Sequence, residues 1–169
     1  MIVLSVISLV ISFFLQGLIS NFCSFTINNL SLFSTLFVLA NFVVLYEYYE
    51  NNNKFIILLV IFGLLMDIVY NSTALISVFT FIVVFYVNRG LKFFLPYNFV
   101  TVNLFAIISL IIYHLITFFF LIILQYDNYT FMVLLKIIGS NLLAMVIYTS
   151  ILYYVIGLVV KKFELKIVR

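Results

Sequence analysis

The chain has 169 residues, of which 67% are hydrophobic, 20% aromatic and only 8% charged, with a net charge of +3. Soluble domains run about 45–50% apolar and about 25% charged, so thirteen formal charges are too few to solvate a fold of this size. A soluble globular enzyme, a disordered chain and a disulfide scaffold (Cys23 is the single cysteine) are excluded, leaving an integral membrane protein of at most six spans of about 20 residues.

The first apolar run, Met1–Ser20, lacks the positive n-region and the small-residue cleavage pattern of a signal peptide, and it is read as a helix. A polar patch, Asn21–Asn29, precedes the second run, Leu30–Tyr46, which Glu47, Glu50, Asn51, Asn52, Asn53 and Lys54 close. The third run, Phe55–Tyr70, ends at Asn71-Ser72-Thr73. The fourth, Ala74–Val87, stops at Asn88-Arg89-Gly90. Both are short, so they either thin the bilayer locally as a tight hairpin or form one re-entrant element. Length favours two spans. A connector with Lys92 and Pro96 leads to the fifth run, Phe99–Leu124, and the turn Gln125–Thr130 to the sixth, Phe131–Val160, followed by the basic tail Lys161–Arg169. The expectation is one all-α domain over 1–169, a compact bundle of six transmembrane helices.

Charge orients this bundle. Lys54, Arg89, Lys92, Lys161, Lys162, Lys166 and Arg169 fall on one side, whereas the connectors 21–29, 71–73 and 125–130 contain no Lys or Arg. Positive residues stay on the cytoplasmic side, which puts both termini in the cytoplasm.

Polar residues inside the spans are the candidates for function, because a charge at a helix centre costs roughly 2.5–3.5 kcal/mol on insertion scales. Asp67, near the outer end of the third helix, and Lys136, near the outer end of the sixth, lie at similar depths. They either pair between helices or act separately, Lys136 by snorkelling and Asp67 by satisfying backbone at the turn. His114 is deeper and has no acidic neighbour at helical spacing, which favours an interhelical hydrogen bond to a hydroxyl or carbonyl. Ser5, Ser8, Ser12, Gln16 and Ser20 recur at three- and four-residue steps and share one face of the first helix; Lys136, Ser140 and Ala144 make a similar stripe on the sixth. In a membrane such faces allow close approach and hydrogen bonding, first within the bundle and alternatively in a polar cavity or a partner-docking groove. No phosphate loop, dinucleotide loop, H-E-x-x-H, cysteine pair or Ser–His–Asp relay is present, so catalysis, cofactors, metals and nucleic acid are not expected.

The run Phe62-Gly63-Leu64-Leu65-Met66-Asp67-Ile68-Val69-Tyr70, continued by Asn71-Ser72-Thr73-Ala74-Leu75-Ile76, resembles the MreD family of bacterial rod shape-determining proteins. That family shows a G-L-x-x-D segment ending one helix, a tight turn, and a short helix reaching a basic cytoplasmic loop. Gly63, Leu64 and Asp67 fit the segment and Asn88-Arg89 the loop, while Ala74 stands where relatives often have Gly. The resemblance implies a non-enzymatic inner-membrane subunit of the lateral cell-wall elongation complex, a scaffold that binds MreC and, through it, the actin-like MreB and the RodA–transpeptidase pair. The expected partner groove is formed by Ser5, Ser8, Ser12 and Gln16 with Lys136, Ser140 and Ala144, and with Gly63 and Asp67 at its outer mouth. The alternative is the substrate-binding subunit of an energy-coupling-factor vitamin transporter, but the Ala-x-x-x-Ala contact such subunits commonly carry on the first helix is absent.

Overall fold

The computed structural model describes residues 1–22, 26–27, 30–31, 36–49, 53–71, 75–123 and 130–163. Long Leu-, Ile-, Val- and Phe-rich stretches lose little by being helical and satisfy every backbone group within themselves. Six helices result: α1 (Ile2–Phe22), α2 (Phe37–Leu45), α3 (Asn53–Met66), α4 (Ile76–Lys92), α5 (Phe99–Ile123) and α6 (Phe131–Lys162). A 3₁₀ turn, Tyr46–Tyr49, prolongs α2, and a π turn, Asp67–Asn71, prolongs α3. The chain's single proline, Pro96, lies in the α4–α5 connector, where its missing N–H interrupts no helix.

Among the described residues, four helical segments are long and apolar enough to cross a membrane: Ile2–Ile19, Asn53–Tyr70, Phe99–Ile123 and Phe131–Lys162. The six helices follow the expected order, with two changed boundaries. α2 starts at Phe37 rather than Leu30, and Leu30–Ser31 instead pair antiparallel with Thr26–Ile27 in the register Thr26↔Ser31, Ile27↔Leu30. Hydropathy cannot tell a buried helix from an apolar approach to it, so the run looked longer than the helix it contains. α4 runs on to Lys92 rather than stopping at Val87: Asn88 faces inward, while Arg89 and Lys92 occupy the last turn, where cations complement the exposed carbonyl ends. Ser72 and Thr73 of the expected turn 71–73, residues 125–129 of the expected connector 125–130, and the tail from 164 lie outside the described residues.

The core is built around α2. All nine of its residues are buried, and it touches α1, α4, α5 and α6. A helix apolar all round but for one Asn has no face to offer water, and here the other helices enclose it. α3 packs on α4, α4 on α5 and α5 on α6, so successive hairpins wrap the central helix. Aromatic edges lock the centre: the Phe42 ring meets Phe55, Phe62 and Phe81 edge-on at 5.6, 6.3 and 5.6 Å. Outward-facing Ile57, Ile61, Leu64, Leu65 and Ile68 on α3, and Leu143, Ile147 and Ile151 on α6, present an apolar surface suited to acyl chains.

Candidate functional site: two buried polar seams

Short helices inside a membrane pose a specific problem. The first N–H groups and last C=O groups of a helix have no partner within it, and α2 and α4 begin at Leu36 and Leu75, whose side chains cannot cap. Both helices are capped by the long helix that precedes them. Gln16 Oε1 on α1 accepts the Val38 N–H at 3.3 Å, and both carboxylate oxygens of Asp67 accept the Ser77 N–H at 3.0 Å. Val38 and Ser77 are each the second residue of their helix. At its other end, α2 receives a hydrogen bond from Tyr97 OH to the Val44 carbonyl at 3.2 Å.

The first seam runs between α1, α2 and α6. Three- and four-residue steps align the α1 hydroxyls, and the structure turns that face onto α2. Ser5 Oγ donates to Tyr49 OH at 2.9 Å, and Ser8 Oγ to Asn41 Oδ1 at 3.4 Å. Asn41 Nδ2 donates to Ser12 Oγ at 2.7 Å, and Ser12 Oγ and Tyr148 OH on α6 are hydrogen-bonded at 2.8 Å. Gln16 Nε2 also reaches Met66 Sδ on α3 at 3.3 Å. Ser5, Ser12 and Gln16 are buried by the chain itself, with Ser8 half-buried beside them. The face therefore serves bundle packing, and the hydrogen-bonding capacity expected for a partner groove is taken up within the chain. Asn41, Tyr49 and Tyr148 are the partners that spacing along α1 could not name. An Asn inside an otherwise apolar run was the available signal.

The second seam lies between α3, α4 and α5. Gly63 and Asp67 sit one turn apart on the same face of α3, both against the start of α4. A Cβ at Gly63 would lie 2.9 Å from Val78 Cα, so only glycine allows this approach. The approach brings the carboxylate, 1% exposed, to the α4 N-terminus, where the helix dipole favours negative charge. Ser77 Oγ continues the seam to Tyr113 OH on α5 at 3.2 Å, and Asn88 Nδ2 donates to Ser109 Oγ at 3.0 Å further along the same helix pair. Leu75 adopts φ 68° where the chain enters α4, a left-handed conformation that is uncommon for a leucine.

The remaining candidates lie apart from both seams. Lys136 and Ser140 are exposed on α6 and Ala144 is half-buried. Lys136 makes no ion pair with Asp67: equal depth fixes height along two helices, not the direction each side chain faces. His114 is buried on α5, and its Nε2 has no hydrogen-bond partner among the described residues, so the interhelical bond expected of it is not formed there. Thr117, one turn on, donates to its own helix at the Tyr113 carbonyl. Among the described residues, no three His, Cys, Asp or Glu side chains converge as a metal site would require. In comparisons with protein families, with characterised proteins and with solved structures, nothing matched the chain.

Proposed function

We propose that the chain is a non-enzymatic subunit of the bacterial lateral cell-wall elongation complex. In this reading it is a six-span inner-membrane scaffold with cytoplasmic termini that offers a helix face to an MreC-like protein, and through it to MreB and the RodA–transpeptidase pair. The observation that carries the reading is the α3–α4 hairpin. Gly63 and Asp67, on which the resemblance to MreD proteins rests, act as one unit: the glycine sets the approach and the carboxylate caps the helix it approaches. A span of the length of α4 fits a bilayer thinned locally, with Arg89 reaching the cytoplasmic headgroups, whereas α2 is enclosed by the other helices and meets no lipid.

This reading narrows the docking face from the α1 and α6 stripes together to α6 alone. Ser5, Ser12 and Gln16 are already covered, whereas Lys136, Gly139 and Ser140 are exposed beside Ala144. Small residues there let a partner helix approach closely, and the Lys136 ammonium offers it hydrogen bonds, while the Ser140 hydroxyl donates to the Ile137 carbonyl of its own helix. The test is co-expression with the MreC protein of the same bacterium and purification in mild detergent. Wild-type chain retains MreC, and Ser140→Leu lowers recovery about fivefold with unchanged thermal unfolding, the loss expected for about 1 kcal/mol of interhelical packing. Undiminished recovery of MreC by Ser140→Leu refutes the α6 face. A bound vitamin with an ATPase partner in place of MreC refutes the whole reading in favour of transport.

A further inference from the structure

Where the basic residues gather, four tyrosines converge from three elements. Tyr48 from the 3₁₀ turn after α2, Tyr97 from the α4–α5 connector, and Tyr153 and Tyr154 from α6 line a cleft of about 230 Å³, with Leu158 and Lys161 completing it. Gly157 keeps it open, since a Cβ there meets nothing within 4 Å. Drug-sized ligands occupy pockets of about 300–1,000 Å³, so this cleft suits something smaller, such as a headgroup.

The donors decide the sign of the ligand. Tyr97 gives its proton to the Val44 carbonyl, but the hydroxyls of Tyr48 and Tyr153 make no hydrogen bond among the described residues. Burial, and then the Glu47 carboxylate and Tyr153, raise the Tyr48 phenol above its ordinary range, so it stays protonated and donates. Glu47 itself is neutralised by Lys92 at 2.5 Å. Among the described residues, two phenol donors without a hydrogen bond and the Lys161 ammonium thus face a cavity with no uncompensated anion, the donor set a phosphate oxygen accepts from.

The surroundings decide where that phosphate comes from. Leu158 at the cleft is 68% exposed, and Phe93 and Phe94, in the connector that carries Tyr97, are each 84% exposed. Tyrosine and lysine beside exposed apolar side chains are the residues that sit at headgroup level in a bilayer. We propose that the cleft binds the phosphate headgroup of an anionic membrane phospholipid, with Lys161, Tyr48 and Tyr153 donating to the phosphate and an acyl chain lying along Leu158. The assignment rests on the membrane reading alone and not on any protein partner.

The test uses the purified full chain in detergent, titrated with phosphatidylglycerol and with phosphatidylcholine of the same acyl length and read by native mass spectrometry. One phosphatidylglycerol stays bound with affinity about tenfold above that of phosphatidylcholine. Lys161→Ala and the Tyr48→Phe/Tyr153→Phe pair each lose about that factor, and Gly157→Leu, which fills the cleft, abolishes retention. Lys162→Ala, equally basic but outside the cleft, leaves binding unchanged, and all variants keep the thermal midpoint of the parent. Equal affinity for the two lipids, or equal losses in Lys161→Ala and Lys162→Ala, overturns the site. Complete competition by millimolar inorganic phosphate overturns the lipid as its source.

Discussion

Replacing Gly63 by alanine tests the α3–α4 hairpin where it is tightest. The added Cβ would stand 2.9 Å from Val78 Cα, 3.0 Å from Val78 Cγ2 and 3.1 Å from Val78 N. Relaxed carbon contacts lie at about 3.5–4.0 Å, so α4 has to retreat by roughly 0.6–1 Å. Overpacking of this kind costs about 1–3 kcal/mol. The retreat has a second effect, because Ser77 N and the Asp67 carboxylate are 3.0 Å apart on the same two elements. Lengthened to about 3.7 Å, that hydrogen bond falls outside the useful range. A bond to a charged acceptor contributes about 1.5–3 kcal/mol, which brings the expected loss for Gly63→Ala to about 2.5–6 kcal/mol. Asp67→Ala alone leaves the buried Ser77 N–H without its acceptor and costs about 1–3 kcal/mol. The diagnostic is the double mutant. Once Gly63→Ala has broken the cap, adding Asp67→Ala costs less than about 0.5 kcal/mol, a coupling of at least about 0.5 kcal/mol. Unfolding by SDS in mixed micelles, followed by far-UV circular dichroism, measures all four states. Wild-type stability in Gly63→Ala, or strict additivity in the double mutant, refutes the reasoning.

The α1 seam predicts a different outcome from the α6 stripe. Ser12→Leu, which forces a branched side chain between Asn41 and Tyr148, abolishes folded protein instead of selectively losing a partner, as monodispersity in detergent reports. Asn41→Ala removes the interhelical bonds to Ser8 and Ser12 and lowers stability by about 0.6–1.7 kcal/mol in the same SDS titration; no change would show that the seam contributes nothing. Orientation is checked with single cysteines in a Cys23→Ser background. Arg89→Cys and Lys161→Cys react with a membrane-impermeant maleimide only after the cells are opened, and Thr73→Cys reacts in intact spheroplasts. The reverse pattern excludes cytoplasmic termini.

Helix order was readable from hydropathy because runs of twenty or more apolar residues have few other outcomes, and α1, α5 and α6 fall within two residues of their expected ends. α2 was not readable in this way, since its limits are set by burial on every side and not by a change in polarity. The serine face of α1 was legible as a face, for helical spacing determines which residues align. What lies opposite depends on how three helices meet, so Asn41 and Tyr148 stayed hidden. The same limit explains Asp67: its proximity to a turn pointed to backbone capping, while the suggested ion pair with Lys136 needed rotational information that spacing does not hold. Gln16 capping a helix begun more than twenty residues later left no local trace at all.

The enclosure of α2 bears on how the chain is made. Ribosomes deliver α2 second, yet α4, α5 and α6, which cover it, follow later. A nine-residue helix carrying Asn41 is too short to settle alone across a bilayer. Until those helices arrive it is covered by α1 alone, with Gln16 at its leading end and Ser8 and Ser12 on Asn41. The last segment synthesised closes the structure, as Tyr148 reaches Ser12 across nearly the whole length of the chain. A chain that stops before α6 leaves one side of α2 uncovered and Ser12 without Tyr148, so it is expected to be degraded faster than the full chain.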